Sequence, residues 1–216
     1  MPVIEVSSND QYVIATGETS ILELYAALPA SLFPPFPPVE LPAGVGGLVA
    51  RGGFAQQFFF ASEVLGLTLQ TSSGKVIRAG GRVVKNVQGY DLVRPVVGSF
   101  GTLGSILEVT LRLRPGRSSA VQYKPGRLED APVKARFAWQ FEDQVYIMHF
   151  GAARAVEQIM LEFAGTQVLE PLNYLAHFPY GIGVGDGPLR DPRLVWANGS
   201  AKPAMPEFFT HIQQVL

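Results

Sequence analysis

The sequence predicts an α+β fold in two parts, and three observations carry that expectation. Short β-rich runs, closed by turn residues, recur at 11–17, 63–81, 105–113 and 135–150. The segments 19–28 and 151–165 instead repeat their apolar residues at helical spacing. Past Pro115 the texture turns polar over 117–132, which puts a boundary near residue 116 with an α+β unit on each side.

The elements follow in order. QYVIATG (11–17) reads as a strand closed by Gly17. In 19–28, Ile21, Leu22, Leu24, Tyr25 and Leu28 make a helical face, with Thr19 or Ser20 as cap and Pro29 as stop. The six prolines from Pro29 to Pro42 forbid regular structure and predict an extended crossing. Residues 63–81 read as a hairpin: Leu65, Leu67 and Leu69 face one way, Ser72–Gly74 turn, and Lys75–Ala79 return. Asp91 is placed to cap a short helix through Val97. Leu107, Val109, Leu111 and Leu113 alternate with Glu108, Thr110 and Arg112, the pattern of a half-buried strand. Beyond the boundary, 117–132 reads as an edge strand or linker, and 135–141 and 144–150 as strands paired around Glu142–Asp143. Val156, Ile159, Met160 and Phe163 form one helical stripe that Gly165 is placed to end. RLVWAN (193–198) reads as a strand and PEFFTHIQQV (206–215) as a terminal helix.

Composition bounds the function. With 47% hydrophobic residues the 216-residue chain can bury a sizeable core. Only 16% of its residues are charged, against about 25% in ordinary soluble domains. Either a partner or ligand covers part of the surface, or the surface is simply sparse in charge. A formal net charge of −1 gives no electrostatic ground for nucleic acid or an acidic membrane. The absence of cysteine excludes disulfides, thiol chemistry and cysteine-held metal. No apolar run reaches the roughly 18 residues of a membrane span, and the start does not read as a secretory leader. A cytoplasmic protein is expected.

Three glycine clusters carry the chemistry: PAGVGGLVARGG (42–53), GGRVVKNVQGYD (80–91) and GSFGTLG (98–104). Successive bare amides before an apolar segment can form an anion-sized concavity. They can equally fold turns. Their spacing matches neither the dinucleotide fingerprint nor the phosphate loop ending in Gly-Lys-Ser/Thr.

These clusters and the strands between them resemble the FAD-binding domain of the vanillyl-alcohol oxidase and p-cresol methylhydroxylase (PCMH) type. The resemblance is strong over 40–115 and fades beyond 120. Within that family, R-V-V-K-N-V-Q-G-Y-D followed by G-S-F-G-T-L-G is most similar to the FAD-binding subunit of bacterial glycolate oxidase. Phe100 stands where much of the family has Glu, which favours the subunit reading. The resemblance implies a shortened two-subdomain PCMH-type fold, with an FAD-binding-like domain over 1–115 and a reduced α+β cap over 116–216. It implies that Val45, Gly46, Gly47 and Leu48 approach the pyrophosphate, and that Gly101, Thr102, Gly104 and Ile106 lie along the flavin. It also implies partners: a larger FAD-containing catalytic subunit and an iron–sulfur subunit, through which the chain could sit peripherally at the inner membrane.

Two departures temper what the resemblance implies. The family's arginine–glycine loop, which wraps the other side of the pyrophosphate, has no counterpart, and 51–64 is short. Three lost charge-assisted hydrogen bonds at about 1.5–3 kcal/mol each would weaken FAD binding by roughly three to six orders of magnitude. Nor is a catalytic base evident. His149, His177 and His211 all follow the boundary, without metal-ligand spacing, so no metal is expected. Arg82, Lys85 and Arg94 could meet a carboxylate or phosphate, or be solvated surface charges. The reading is an FAD-binding subunit of a glycolate (2-hydroxy-acid) oxidase complex. The alternative is a non-catalytic scaffold of the same fold that binds the catalytic subunit without its own FAD. LFPPFPPVELP (32–42) and Phe58–Phe60 are the apolar stretches expected to face a partner.

Overall fold

A computed structural model of the chain describes residues 3–55, 60–82, 91–177, 189–190, 207 and 211–212. Its α+β architecture follows the sequence pattern. β1 (Val3–Ser7) and β2 (Tyr12–Thr16) pair antiparallel. α1 (Ile21–Ala27) begins at Ser20, whose hydroxyl accepts from the Glu23 amide while the Glu23 carboxylate accepts from the Ser20 amide. The proline-rich crossing holds only two short strands, β3 (Leu32–Phe33) and β4 (Val39–Glu40), before α2 (Gly44–Ala50). β5 (Val64–Gln70) and β6 (Val76–Gly80) form the expected hairpin, with Leu69 opposite Ile77. α3 (Val93–Val96) is a single turn, and the Asp91 carboxylate accepts from the Val93 and Arg94 amides at its start. β7 (Ser105–Arg112) lies between β2 and β5, completing an antiparallel sheet of order β1-β2-β7-β5-β6.

A second sheet follows. β8 (Arg114–Pro115) pairs with β3 and leads into β9 (Ser118–Pro125). β10 (Phe137–Phe141) and β11 (Gln144–Gly151) close on each other at the Glu142–Asp143 turn, where Phe141 faces Gln144. α4 (Ala153–Phe163) is followed by β12 (Thr166–Gln167), β13 (Leu172–Asn173) and β14 (Leu189–Arg190). The sheet order is β12-β9-β11-β10-β14, and β13 runs parallel to β4. The stripe Val156, Ile159, Met160 and Phe163 packs on Val145 and Ile147 from one face of this sheet. Its other face, with Phe137, Trp139, Phe141, Met148 and Phe150, joins the core of the first sheet. Phe33 stacks on Phe150 at 4.5 Å between centroids and Phe54 lies against Trp139 at 5.8 Å. One hydrophobic core therefore crosses the boundary expected near residue 116.

Several expectations need correction. The 117–132 stretch contributes β9, an interior strand hydrogen-bonded on both sides, because its side chains alternate between α4 and the shared core. α4 ends on Ala164 in the left-handed region (φ 53°), one residue before Gly165. The segment Leu32–Leu41 does not face outward: Leu32, Phe33, Phe36, Val39 and Leu41 are all buried, since the crossing runs between the two sheets and fills their core. Phe60 is buried too, while Phe58 and Phe59 lie outside the described residues. RLVWAN and most of 206–215 also fall outside them.

Candidate functional site

The site is built from backbone that approaches backbone. α2 docks on the turn after β2 through its own first amides: Val45 donates to the Thr19 carbonyl at 2.9 Å and Gly46 to the Gly17 carbonyl at 2.7 Å. A Cβ on Gly46 would lie 2.9 Å from the Gly17 Cα, and one on Gly17 would overlap the Ile106 carbonyl oxygen. Glycine at 17 and 46 is what lets a helix, a turn and the start of β7 touch main chain to main chain. The 98–104 turn closes on the other end of the same helix, where Gly98 and Phe100 donate to the Val49 and Ala50 carbonyls at 3.1 and 2.7 Å. These are carbonyls that a helix end leaves without intrahelical donors.

Two glycine clusters fifty residues apart in sequence thus wall one cleft of about 810 Å³, within the roughly 300–1,000 Å³ of small-molecule sites. Of the residues singled out from sequence, Gly46, Gly47, Gly101, Gly104 and Ile106 line it. Val45 and Leu48 sit beneath, fully buried in the core. The Thr102 hydroxyl donates to the Ser99 carbonyl at 2.6 Å inside the turn and is not on the wall. Gly101 has φ 75°, and a Cβ there would meet no atom of the described residues within 4 Å, so its open side faces the cleft it lines.

Sequence reasoning missed Thr16, Gly17, Glu18, Ser20, Glu40, Leu41 and Leu175, which also line the wall. Glu40 is the informative one. Its buried carboxylate accepts from the Ser20 hydroxyl at 2.5 Å and from the Ile21 and Leu22 amides at 3.3 and 3.0 Å. It places a negative charge on the N-terminal end of α1, where the helix dipole favours one. A glutamate inside a proline-rich crossing was the available signal. Among the described residues, the wall carries two carboxylates, Glu18 and Glu40, and no Lys or Arg.

The cations proposed from sequence lie elsewhere. Arg82 pairs with Glu5 at 3.1 Å and Arg94 with Asp91 at 3.0 Å, both outside the cleft wall; Lys85 lies outside the described residues. The three histidines are not on the wall either. His149 is buried in β11, and desolvation, then the charge of Arg136, holds its pKa below the usual histidine value. His177 packs edge-on to Phe141 at 4.8 Å. The Val45, Gly46 and Gly47 amides are spent on the Thr19, Gly17 and Ala43 carbonyls, so they offer no anion nest. Among the described residues, the cleft wall alone does not supply the charge that a pyrophosphate calls for.

Known proteins resemble this chain over part of its length. The chain is 34% identical over 120 residues to glycolate oxidase subunit GlcE of Escherichia coli, covering 52% of this chain and 34% of that protein. It is 36% identical over 121 residues to D-lactate dehydrogenase of Archaeoglobus fulgidus (53% and 27%). It is also 36% identical over 118 residues to an uncharacterized FAD-linked oxidoreductase of Mycobacterium tuberculosis (52% and 26%). The matched stretches span about a quarter to a third of these curated relatives. Among solved structures, alkyldihydroxyacetonephosphate synthase superposes with a TM-score of 0.53 at 13% identity, over 76% of this chain and 41% of that one. Residues 121–199 match a family of unknown function, DUF5639. Among the described residues, no helix is long and apolar enough to cross a membrane.

Proposed function

We propose that this chain, a homologue of FAD-linked oxidoreductases with a PCMH-type α+β fold, forms one wall of a flavin site in a complex that oxidises glycolate or a similar 2-hydroxy acid. The observation that carries the reading is the meeting of Gly46 and Gly47 with Gly101 and Gly104 along one cleft. Glycine backbone admits a planar ring system where side chains would intrude. In such a site the flavin supplies a hydride acceptor for the α-carbon of the hydroxy acid. This chain's residues hold and orient: Gly101, Gly104 and Ile106 would lie along the ring, with Gly46, Gly47 and Ala43 at the far end. Of the two carboxylates on the wall, Glu40 is engaged by the Ser20 hydroxyl and the Ile21 and Leu22 amides and Glu18 is exposed to solvent, so neither stands as a free, water-shielded base. The base and the remaining cofactor contacts are therefore assigned to a larger FAD-containing subunit, with an iron–sulfur subunit to take the electrons onward.

A second reading is favoured by one specific observation, the two carboxylates and missing cation on the wall. On that reading the chain is a scaffold that binds the catalytic subunit without flavin of its own. Co-expression with the candidate catalytic subunit tests both. A complex on gel filtration with glycolate oxidation dependent on both chains, and flavin uptake lowered by substitutions at Gly101 of this chain, is the expected result. A complex whose flavin content ignores Gly101 would move the assignment to the scaffold.

A further inference from the structure

Arg51 follows α2 directly and folds back along it. Ala43, Gly47 and Arg51 are four residues apart and share one helix face, and Ala43 and Gly47 line the cleft. The Arg51 side chain lies over Gly47, with Nη1 donating to the Pro42 carbonyl at 3.1 Å. A Cβ on Gly47 would stand 3.2 Å from that nitrogen. Nε and Nη2 are shielded from solvent and find no acceptor among the described residues. An interior guanidinium normally spends its donors in bidentate pairs with carboxylate or phosphate. Here one neutral carbonyl is the partner, and desolvation lowers the pKa to about 10. Among the described residues, the cleft wall beside it carries no Lys or Arg of its own.

We propose that Arg51 is the oxyanion-binding residue of the cleft, resting against the Pro42 carbonyl and turning its free nitrogens onto a phosphate or carboxylate group that enters beside Ala43 and Gly47. The identity of that oxyanion, a cofactor pyrophosphate or a hydroxy-acid carboxylate, rests on the flavin reading above; the binding position itself does not. Removing a guanidinium that is short of partners also relieves an uncompensated buried charge, so loss of binding and loss of fold are separable.

The test titrates the full chain with sodium pyrophosphate, with glycolate and with FAD, for the parent, Arg51→Gln and Arg51→Lys. Pyrophosphate or glycolate, whichever is the source, should bind the parent and weaken about tenfold or more in Arg51→Gln. Arg51→Lys should fall between, as a point charge without the fork. Arg51→Gln should keep the parent's circular dichroism. Should it fail to fold, the Nε–H resonances of the ¹⁵N-labelled parent provide the readout, and a protected Arg signal must shift on adding the oxyanion. Equal binding of both oxyanions by parent and Arg51→Gln, or no binding by the parent, overturns the proposal. FAD binding unaffected by Arg51→Gln, together with oxyanion binding equally unaffected, sinks the Arg51 site and leaves the flavin reading standing. Arg51-dependent oxyanion binding without any FAD binding does the reverse.

Discussion

The Gly46 amide donates to the Gly17 carbonyl at 2.7 Å, and the two α-carbons come so close that a methyl group on Gly46 would lie 2.9 Å from the Gly17 Cα. Neither neighbour is a flexible side-chain end, so the structure can relieve the overlap only by moving α2 away from the end of β2. Gly46→Val is expected to destabilise the chain by about 3 kcal/mol or more, at the upper end of overpacking costs. Urea denaturation measures this; an unchanged midpoint would show that the helix docks loosely.

Gly101 separates fold from ligand. A Cβ there meets no atom of the described residues within 4 Å, and the cost is the left-handed φ of 75° alone, about 1–2 kcal/mol. Gly101→Ala should melt slightly below the parent and lose flavin uptake by the assembled complex. Retention of parental flavin content with the same small stability loss would place the ligand against another part of the wall.

Phe36 is fully buried, edge-on to Tyr25 at 6.4 Å, and the Tyr25 hydroxyl donates to its carbonyl. Phe36→Ser removes an aromatic ring from the core and leaves a hydroxyl in its place. A loss of about 3–5 kcal/mol is expected, read as a large drop in melting temperature. A folded, parent-like variant would mean that the crossing is a surface feature after all.

His149 predicts a pH dependence. Its folded-state pKa is depressed, by burial first and by Arg136 second, so the unfolded chain takes up a proton that the folded chain resists. Its contribution is therefore fully present above the unfolded value of about 6.5 and is lost as pH falls from there toward the folded pKa. Stability curves of the parent and His149→Gln should converge or cross on the acid side, the parent falling more steeply below about pH 6.5. Parallel curves between pH 7 and 5 would remove His149 from the account.

How much of this was legible in the sequence depends on what each signal measures. The α4 stripe and the 63–81 hairpin were readable because periodicity reports directly on a buried face, and there Val156, Ile159, Met160 and Phe163 are all buried. The strands β3, β4, β8, β12, β13 and β14 hold two residues each, too few for any period, and they exist only because partners elsewhere pair with them. Prolines announced the crossing at 29–42, but Phe36 looks the same in a surface loop as between two sheets. At the site, glycine spacing identified the right backbone and left its purpose ambiguous. The amides at 45–47 fitted an anion nest on paper, whereas the fold spends them on Thr19, Gly17 and Ala43. Glu40 and Arg51 escaped notice because their roles come from contacts with residues 18 to 20 and 9 positions away, respectively.

The stacked pair Phe33–Phe150, at 4.5 Å and 14° between ring planes, has a consequence for how this chain can be divided. Phe33 comes from the early crossing and Phe150 from the end of β11, so the seam between the halves is itself hydrophobic interior. A fragment ending at residue 115 would expose the undersides of Phe33, Phe54 and their neighbours to water. Modular exchange, in which the second half is swapped between relatives while the first stays fixed, would have to carry matching aromatic partners across the seam. The halves should therefore melt together: heating should give a single cooperative transition, and a protease that cuts between them should release no stable piece.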